Sequence, residues 1–155
     1  MRAVSECNPH PLICLPAHSL KMSQRVPFLY IADSDLGGRG VFTGEMLEEG
    51  DLIEICPAIV LPEEDLPKIH DTRLHDYYFL WGEDQQRCAI ALGNGSLFNH
   101  SYQPNARYLL DYEHDTIDFY CIKTIGPGEE ITVNYNGEPE SQELVWFDKN
   151  LDRDI

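Results

Sequence analysis

The sequence predicts a mainly β domain with one or two short helices. Runs of β-branched and aromatic residues recur at close spacing, glycine- and proline-rich turns separate them, and only one stretch carries a helical period. With 155 residues, 43 % of them hydrophobic and 25 % charged, the chain is long enough to bury one core and too short to favour a second domain.

Residues 1–25 hold three prolines and no sustained strand or helix period, which predicts a weakly ordered N-terminal arm in which Met22 offers an alternative start. The pattern changes at Pro27. Phe28 to Ala32 reads as a strand, Asp33 to Gly40 as a glycine-rich loop and Val41 to Thr43 as the returning strand, together a β-hairpin. Its tip, Gly37-Gly38-Arg39-Gly40, lacks Gly-x-Gly-x-x-Gly spacing and precedes a strand, so the dinucleotide fingerprint fails. Without β-carbons the tip is either a backbone that a ligand can approach closely or an ordinary tight turn.

Asp51 to Leu61 forms one strand, or two interrupted at Pro57, and Pro62 stops it. Between Glu63 and Trp81, the residues Leu74, Tyr77, Tyr78 and Trp81 fall at helical spacing and predict a short amphipathic helix, with Tyr78 and Trp81 in the core. Arg87 to Leu92, Arg107 to Asp111 and Thr116 to Thr124 read as further strands. Glu129 to Gly137 is the last, with Tyr135 just before an Asn-Gly turn, and an acidic tail carrying Trp146-Phe147 follows.

The segment from Leu92 to Tyr108 concentrates glycines, amides, a histidine and a proline between two apolar strands, a composition suited to a backbone held against a ligand. Asn99, His100, Ser101 and Asn105 offer donors and acceptors in both directions, and each needs a defined partner if buried.

Eleven basic against 27 acidic residues give a net charge of −16, which argues against direct nucleic-acid binding and favours basic partners, or serves solubility alone. No apolar run approaches a membrane span and the N-terminus lacks a secretory pattern, so an intracellular protein, cytoplasmic or nuclear and not secreted, is expected. The five cysteines are scattered and never in Cys-x-x-Cys spacing, and the six histidines never adopt ligand spacing, so reduced core cysteines and no metal are expected. A Gly-x-Ser-x-Gly elbow is absent and the carboxylates lie in solvated runs, which leaves no hydrolase constellation.

Three ordered motifs nevertheless resemble those of the SET-domain protein lysine methyltransferases. Gly38-Arg39-Gly40-Val41-Phe42 resembles their first motif, Phe98-Asn99-His100-Ser101 through Pro104-Asn105 their Asn-His-Ser-Cys-x-Pro-Asn signature, and Gly128-Glu129-Glu130-Ile131-Thr132 through Tyr135 their final Glu-Leu-x-x-Asp-Tyr motif. The resemblance runs from about Pro27 to Gly137, giving a SET domain over residues 26–137 and a C-terminal tail over 138–155. Leu36-Gly37-Gly38, Asp76-Tyr77 and Pro104-Asn105-Ala106-Arg107 are most similar to the small, stand-alone viral and bacterial type.

The resemblance implies small β-sheets with a C-terminal pseudoknot, S-adenosyl-L-methionine as methyl donor and a lysine in a basic protein, histone or histone-like, as acceptor. It leaves room for a homodimer, and for a catalytically silent SET-like module that only binds basic peptides. By motif, Gly38, Arg39, Gly40, Asn99 and His100 would bind the cofactor, Tyr135 would be the catalytic tyrosine touching it, and Tyr77 would line the lysine channel as the second catalytic residue. Tyr102 stands where the family often has cysteine, Asn134 where aspartate is usual, and no cysteine follows Tyr135. The zinc-bound cap of many relatives is therefore expected to be missing, with Trp146 or Phe147 folding over the cofactor instead. In the substrate channel, Val133 cannot supply the hydroxyl that limits methylation in some relatives, whereas Tyr108 matches an alternative position for it, which implies mainly monomethylation.

Overall fold

A computed structural model of the chain describes residues 24–151, so residues 1–23 of the expected arm lie outside the described residues. The arm's last two residues, Gln24–Arg25 (β1), form a short strand on Leu52–Leu61 (β4). The rest is mainly β with short helices, as expected. One sheet combines Tyr78–Trp81 (β5), Arg87–Ala91 (β6), β4, Thr116–Cys121 (β9) and Ala106–Asp111 (β8), in the order β5-β6-β4-β9-β8. The other runs Leu29–Asp33 (β2), Arg39–Thr43 (β3), Glu130–Val133 (β10) and Asn99–His100 (β7).

The hairpin β2–β3 has the expected strands, with Leu29 opposite Thr43 and Asp33 opposite Arg39. Pro57 does not interrupt β4. It sits where β4 changes partner, from β9 at residues 52–57 to β6 at residues 58–61, so its missing N–H falls at the handover between ladders.

The amphipathic helix expected between Glu63 and Trp81 does not form. Only Leu66–His70 (α1) is α-helical, a single 3-10 turn follows at Arg73–Asp76, and Tyr78–Trp81 is a strand paired with β6. A spacing of three and four also fits a short turn running into a strand. The aromatic run Tyr77-Tyr78-Phe79-Leu80-Trp81 favours the pleated sheet, and Gly82 at φ 92° turns it back into β6. Leu74 and Tyr77, meant for the buried face, are exposed, while Trp81 is buried against the Tyr112 ring.

Phe119 is fully buried at the centre of the core. Its ring meets Phe98 at 4.5 Å and Phe79 at 6.3 Å, linking the large sheet to the loop before β7, and truncating such a side chain costs about 3–5 kcal/mol. Of the five cysteines, Cys56, Cys88 and Cys121 are free and buried, as core cysteines should be, while Cys7 and Cys14 lie outside the described residues.

In the second sheet, β10 runs parallel to β7, with Thr132 opposite Asn99 and Val133 opposite His100. Asn105 fastens this pair: its Nδ2 donates to the Glu130 carbonyl at 2.8 Å and its Oδ1 accepts from the Thr132 amide at 2.8 Å. Both bonds require a side chain that donates and accepts, which an amide provides. The result places Tyr135, two residues past β10, beside the segment that holds Asn99 and His100.

Candidate active site

Glu130 organises the first half of the site. Its carboxylate accepts from Ser34 Oγ at 2.7 and 2.9 Å and from Asn99 Nδ2 at 2.7 Å. Asn99 Nδ2 also donates to the Arg39 carbonyl at 3.1 Å, which ties the hairpin tip to β7. Both hydrogens of that amide are then committed, leaving Oδ1 as its acceptor. Gly40 is buried at this crossing: a β-carbon there would lie 2.0 Å from Glu130 Oε1 and 3.1 Å from Asn99 Nδ2. Ser34 belongs to no motif and Glu130 is marked only as part of the third one, because what the two do together depends on a contact between residues 96 positions apart.

Two adjoining cavities lie beside this crossing, and only the smaller one touches Asn99. The smaller, about 330 Å³, is lined by Gly37, Gly38 and Arg39 of the hairpin tip, by Leu97 and Asn99, and by Phe147 of the tail. Gly37 and Gly38 have φ of 125° and 61°, and nothing lies within 4 Å of a β-carbon built on either, so their backbone faces open space. The larger, about 820 Å³, is lined by the two edge strands of the large sheet, through Phe79 and Leu80 on β5 and Tyr108 and Leu109 on β8, and by Glu138, Glu143 and Leu144 of the tail. The cavities share Asp76, Tyr77, Ser96, Tyr135 and Trp146.

Tyr135 is held at that junction from three sides. Its hydroxyl donates to the Phe98 carbonyl at 3.0 Å, its amide donates to His100 Nδ1 at 3.1 Å, and its ring stacks on Trp146. Burial pushes the phenol up to about 12, so at neutral pH it is a protonated donor. Because His100 Nδ1 accepts, the neutral imidazole carries its proton on Nε2, which is buried without a hydrogen-bond partner. Burial lowers the His100 value, opposed by the nearby Asp148 carboxylate, and so favours this neutral form.

The candidate residues separate into groups. Gly38, Arg39, Asn99, Trp146 and Phe147 surround the smaller cavity, with Tyr77 and Tyr135 at the junction. Gly40 and His100 stand behind it as supports and line neither cavity. Tyr108 lines the larger cavity, and its hydroxyl donates to the Tyr135 carbonyl at 3.3 Å. Burial raises the Tyr108 phenol to about 12. Val133 lines neither cavity; it is fully buried in the core. Among the described residues, no group of three or more His, Cys, Asp or Glu side chains is placed to hold a metal ion, and no helix is long and apolar enough to cross a membrane.

Small curled sheets, in which a short parallel strand pair delivers a tyrosine to the junction of two cavities, define a SET domain. The SET domain family matches residues 38–136, and the chain belongs to this family of protein-lysine methyltransferases. It is 32 % identical over 121 residues to a Schizosaccharomyces pombe histone-lysine N-methyltransferase described as specific for lysine 37 of histone H3, with 77 % of each chain covered. It is also similar in structure to a Plasmodium falciparum chain assigned as a histone methyltransferase, with a TM-score of 0.60 and 29 % identity over 80 % of this chain and 98 % of that one.

Proposed function

We propose that this enzyme transfers methyl groups from S-adenosylmethionine to lysines of basic proteins, histones foremost. The observation that carries the proposal is the junction: a smaller and a larger cavity share Tyr77 and Tyr135 in their walls, so that two substrates can meet at one point.

The smaller cavity fits the cofactor. Its volume lies at the lower end of small-ligand sites, from about 300 Å³. The open backbone of Gly37 and Gly38 and the Asn99 Oδ1 offer acceptors for an ammonium group, and Trp146 and Phe147 offer aromatic faces for a base. Bound there, S-adenosylmethionine supplies an electrophilic methyl on a sulfonium. The protein's own part is to hold the acceptor nitrogen neutral and in line. An ammonium of ordinary pKa about 10.4 is disfavoured where aromatic rings exclude water, so Tyr77, Tyr135 and Trp146 promote the free amine. The Phe98 carbonyl and the Tyr135 hydroxyl, 3.0 Å apart, supply fixed dipoles at the junction.

The tail serves as the cap, with Trp146 and Phe147 covering the cofactor, and Tyr108 restricts the product to monomethyl-lysine. The short Gly37-Gly38 and Asp76-Tyr77 features favour the small viral and bacterial subtype. A net charge of −16 and the groove carboxylates Glu138 and Glu143 suit a lysine in a basic sequence, and the yeast and Plasmodium relatives make histones the first candidates. Histone substrates would put the reaction in the nucleus.

Calorimetry tests the cofactor assignment. S-adenosylmethionine should bind the wild type, and Asn99→Ala should lose that binding while melting as a folded protein. Equal affinity in the two would refute the assignment.

A further inference from the structure

We propose that Tyr102 is a positioning residue that latches the C-terminal tail closed over the cofactor; this rests on the cofactor and cap assignments above. A single hydroxyl fastens both sides of the aromatic pair. Tyr102 Oη accepts the Val145 amide at 3.2 Å and donates to Asp148 Oδ2 at 2.5 Å, and Val145 and Asp148 directly flank Trp146-Phe147. The Asp148 amide also donates to the Val145 carbonyl at 3.1 Å, which closes the turn around the pair. A third contact runs from Gln142 Nε2 to the Tyr102 carbonyl at 3.2 Å.

The other end of the latch lies on the cofactor segment. Tyr102 follows His100 by two residues, and their rings meet edge-on at 4.4 Å. Tail position is thus tied to the strand that carries Asn99. The hydrogen bond to a carboxylate is charge-assisted, which makes it among the stronger contacts available to a phenol.

Asn134 independently anchors the approach to the latch. It is buried, its Nδ2 donates to the Ser141 carbonyl at 2.8 Å and the Pro139 carbonyl at 3.4 Å, and its Oδ1 accepts the Asn136 amide at 3.1 Å. A carboxylate could not donate to those carbonyls, so an amide here serves the tail. Tyr102 and Asn134, which stand where the family often has cysteine and usually has aspartate, both bond to the tail, Tyr102 to Val145 and Asp148 and Asn134 to Pro139 and Ser141.

A latch acts on the fraction of molecules whose lid is closed, and apparent affinity falls by that fraction. In the full chain, Tyr102→Phe should therefore raise the KM and the calorimetric Kd for S-adenosylmethionine about fivefold or more, with kcat at saturating cofactor held within about twofold. Asp148→Ala, which leaves the Val145 bond, should raise them in the same direction but less, the double variant should be no worse than Tyr102→Phe alone, and Asp148→Asn, whose amide oxygen still accepts, should restore most of the affinity. Trp146→Ala separates latch from lid. If it loses cofactor affinity while Tyr102→Phe keeps it, or if the Tyr102 and Asp148 losses add, the latch is refuted and the cap stands. If Trp146→Ala binds normally, the cap fails and takes the latch with it.

Discussion

The ring of Tyr135 lies flat against Trp146, with centroids 5.6 Å apart and planes only 9° from parallel. Tyr135 lies two residues past the last strand of the family fold, and Trp146 begins the tail helix Trp146–Leu151 (α2). Their stacking joins the proposed reaction centre to its cover. Trp146 also meets Phe147 at 5.1 Å and His75 at 5.2 Å, so the cover is continuous with the turn before Tyr77. Such pairs contribute about 0.5–1.5 kcal/mol beyond their buried area. Truncation after Gly137 should abolish S-adenosylmethionine binding, measured by calorimetry. A truncated chain that stays folded and binds normally would remove the tail from the site.

Gly40→Ala should disable the cofactor site through a neighbour. The added methyl would lie 2.0 Å from Glu130 Oε1, so the carboxylate that orders Ser34 and Asn99 must move. Cofactor affinity should fall at least tenfold, equivalent to about 1.4 kcal/mol. Undiminished affinity would mean that the Glu130 crossing does not position Asn99.

Protonation of His100 should be linked to stability at mildly acid pH. Burial lowers its native value below the ordinary histidine pKa of about 6.5, so in that window the unfolded chain binds a proton that the native one refuses. The resulting contribution is present above pH about 6.5 and is lost as pH falls toward the lowered native value. Urea denaturation at several pH values should show that decline in the wild type and a flatter profile in His100→Gln. An unchanged slope in the variant would assign the acid sensitivity to other groups.

Tyr108→Phe should shift products from monomethyl- toward di- and trimethyl-lysine. Its hydroxyl donates to the Tyr135 carbonyl and occupies the groove wall beside Gly137, 3.6 Å from a β-carbon built there. Removing it opens room for a methylated amine. Mass spectrometry of products at limiting enzyme would refute this if trimethyl-lysine dominates in the wild type, or if the variant leaves the distribution unchanged.

The strand set was legible from the sequence because β-branched and aromatic runs punctuated by glycine and proline mark strands whatever their partners. The hairpin around Gly37-Gly38 and the strand from Leu52 were readable in this way. Tyr78–Trp81 was not, since four residues carry too few repeats to separate a strand from a helical turn; its pairing with β6 decides the matter. Site residues bound to a motif, such as Asn99, His100 and Tyr135, could be located in advance. Ser34 and the Tyr102–Asp148 pair could not, because their chemistry arises from contacts between distant segments, and Glu130, though inside the third motif, gains its organising part only from Ser34 and Asn99 far from it in the chain. Val133, which motif position assigns to the channel, is buried in the core together with Ile131, two residues before it on the same face of the strand.

Tyr135→Phe tests catalysis with the least disturbance, since it removes one hydroxyl and keeps the ring against Trp146. Losing the bond to the Phe98 carbonyl should cost about 0.5–1.5 kcal/mol of stability, whereas loss of a preorganised donor lowers turnover about 10²–10³-fold. The most direct measurement incubates the full chain with methyl-labelled S-adenosylmethionine and core histones, then locates the label by tandem mass spectrometry. The expected result is label on lysine side-chain nitrogen with the wild type and its near-complete loss with Tyr135→Phe. Label on another residue type, or equal labelling by the variant, would contradict it.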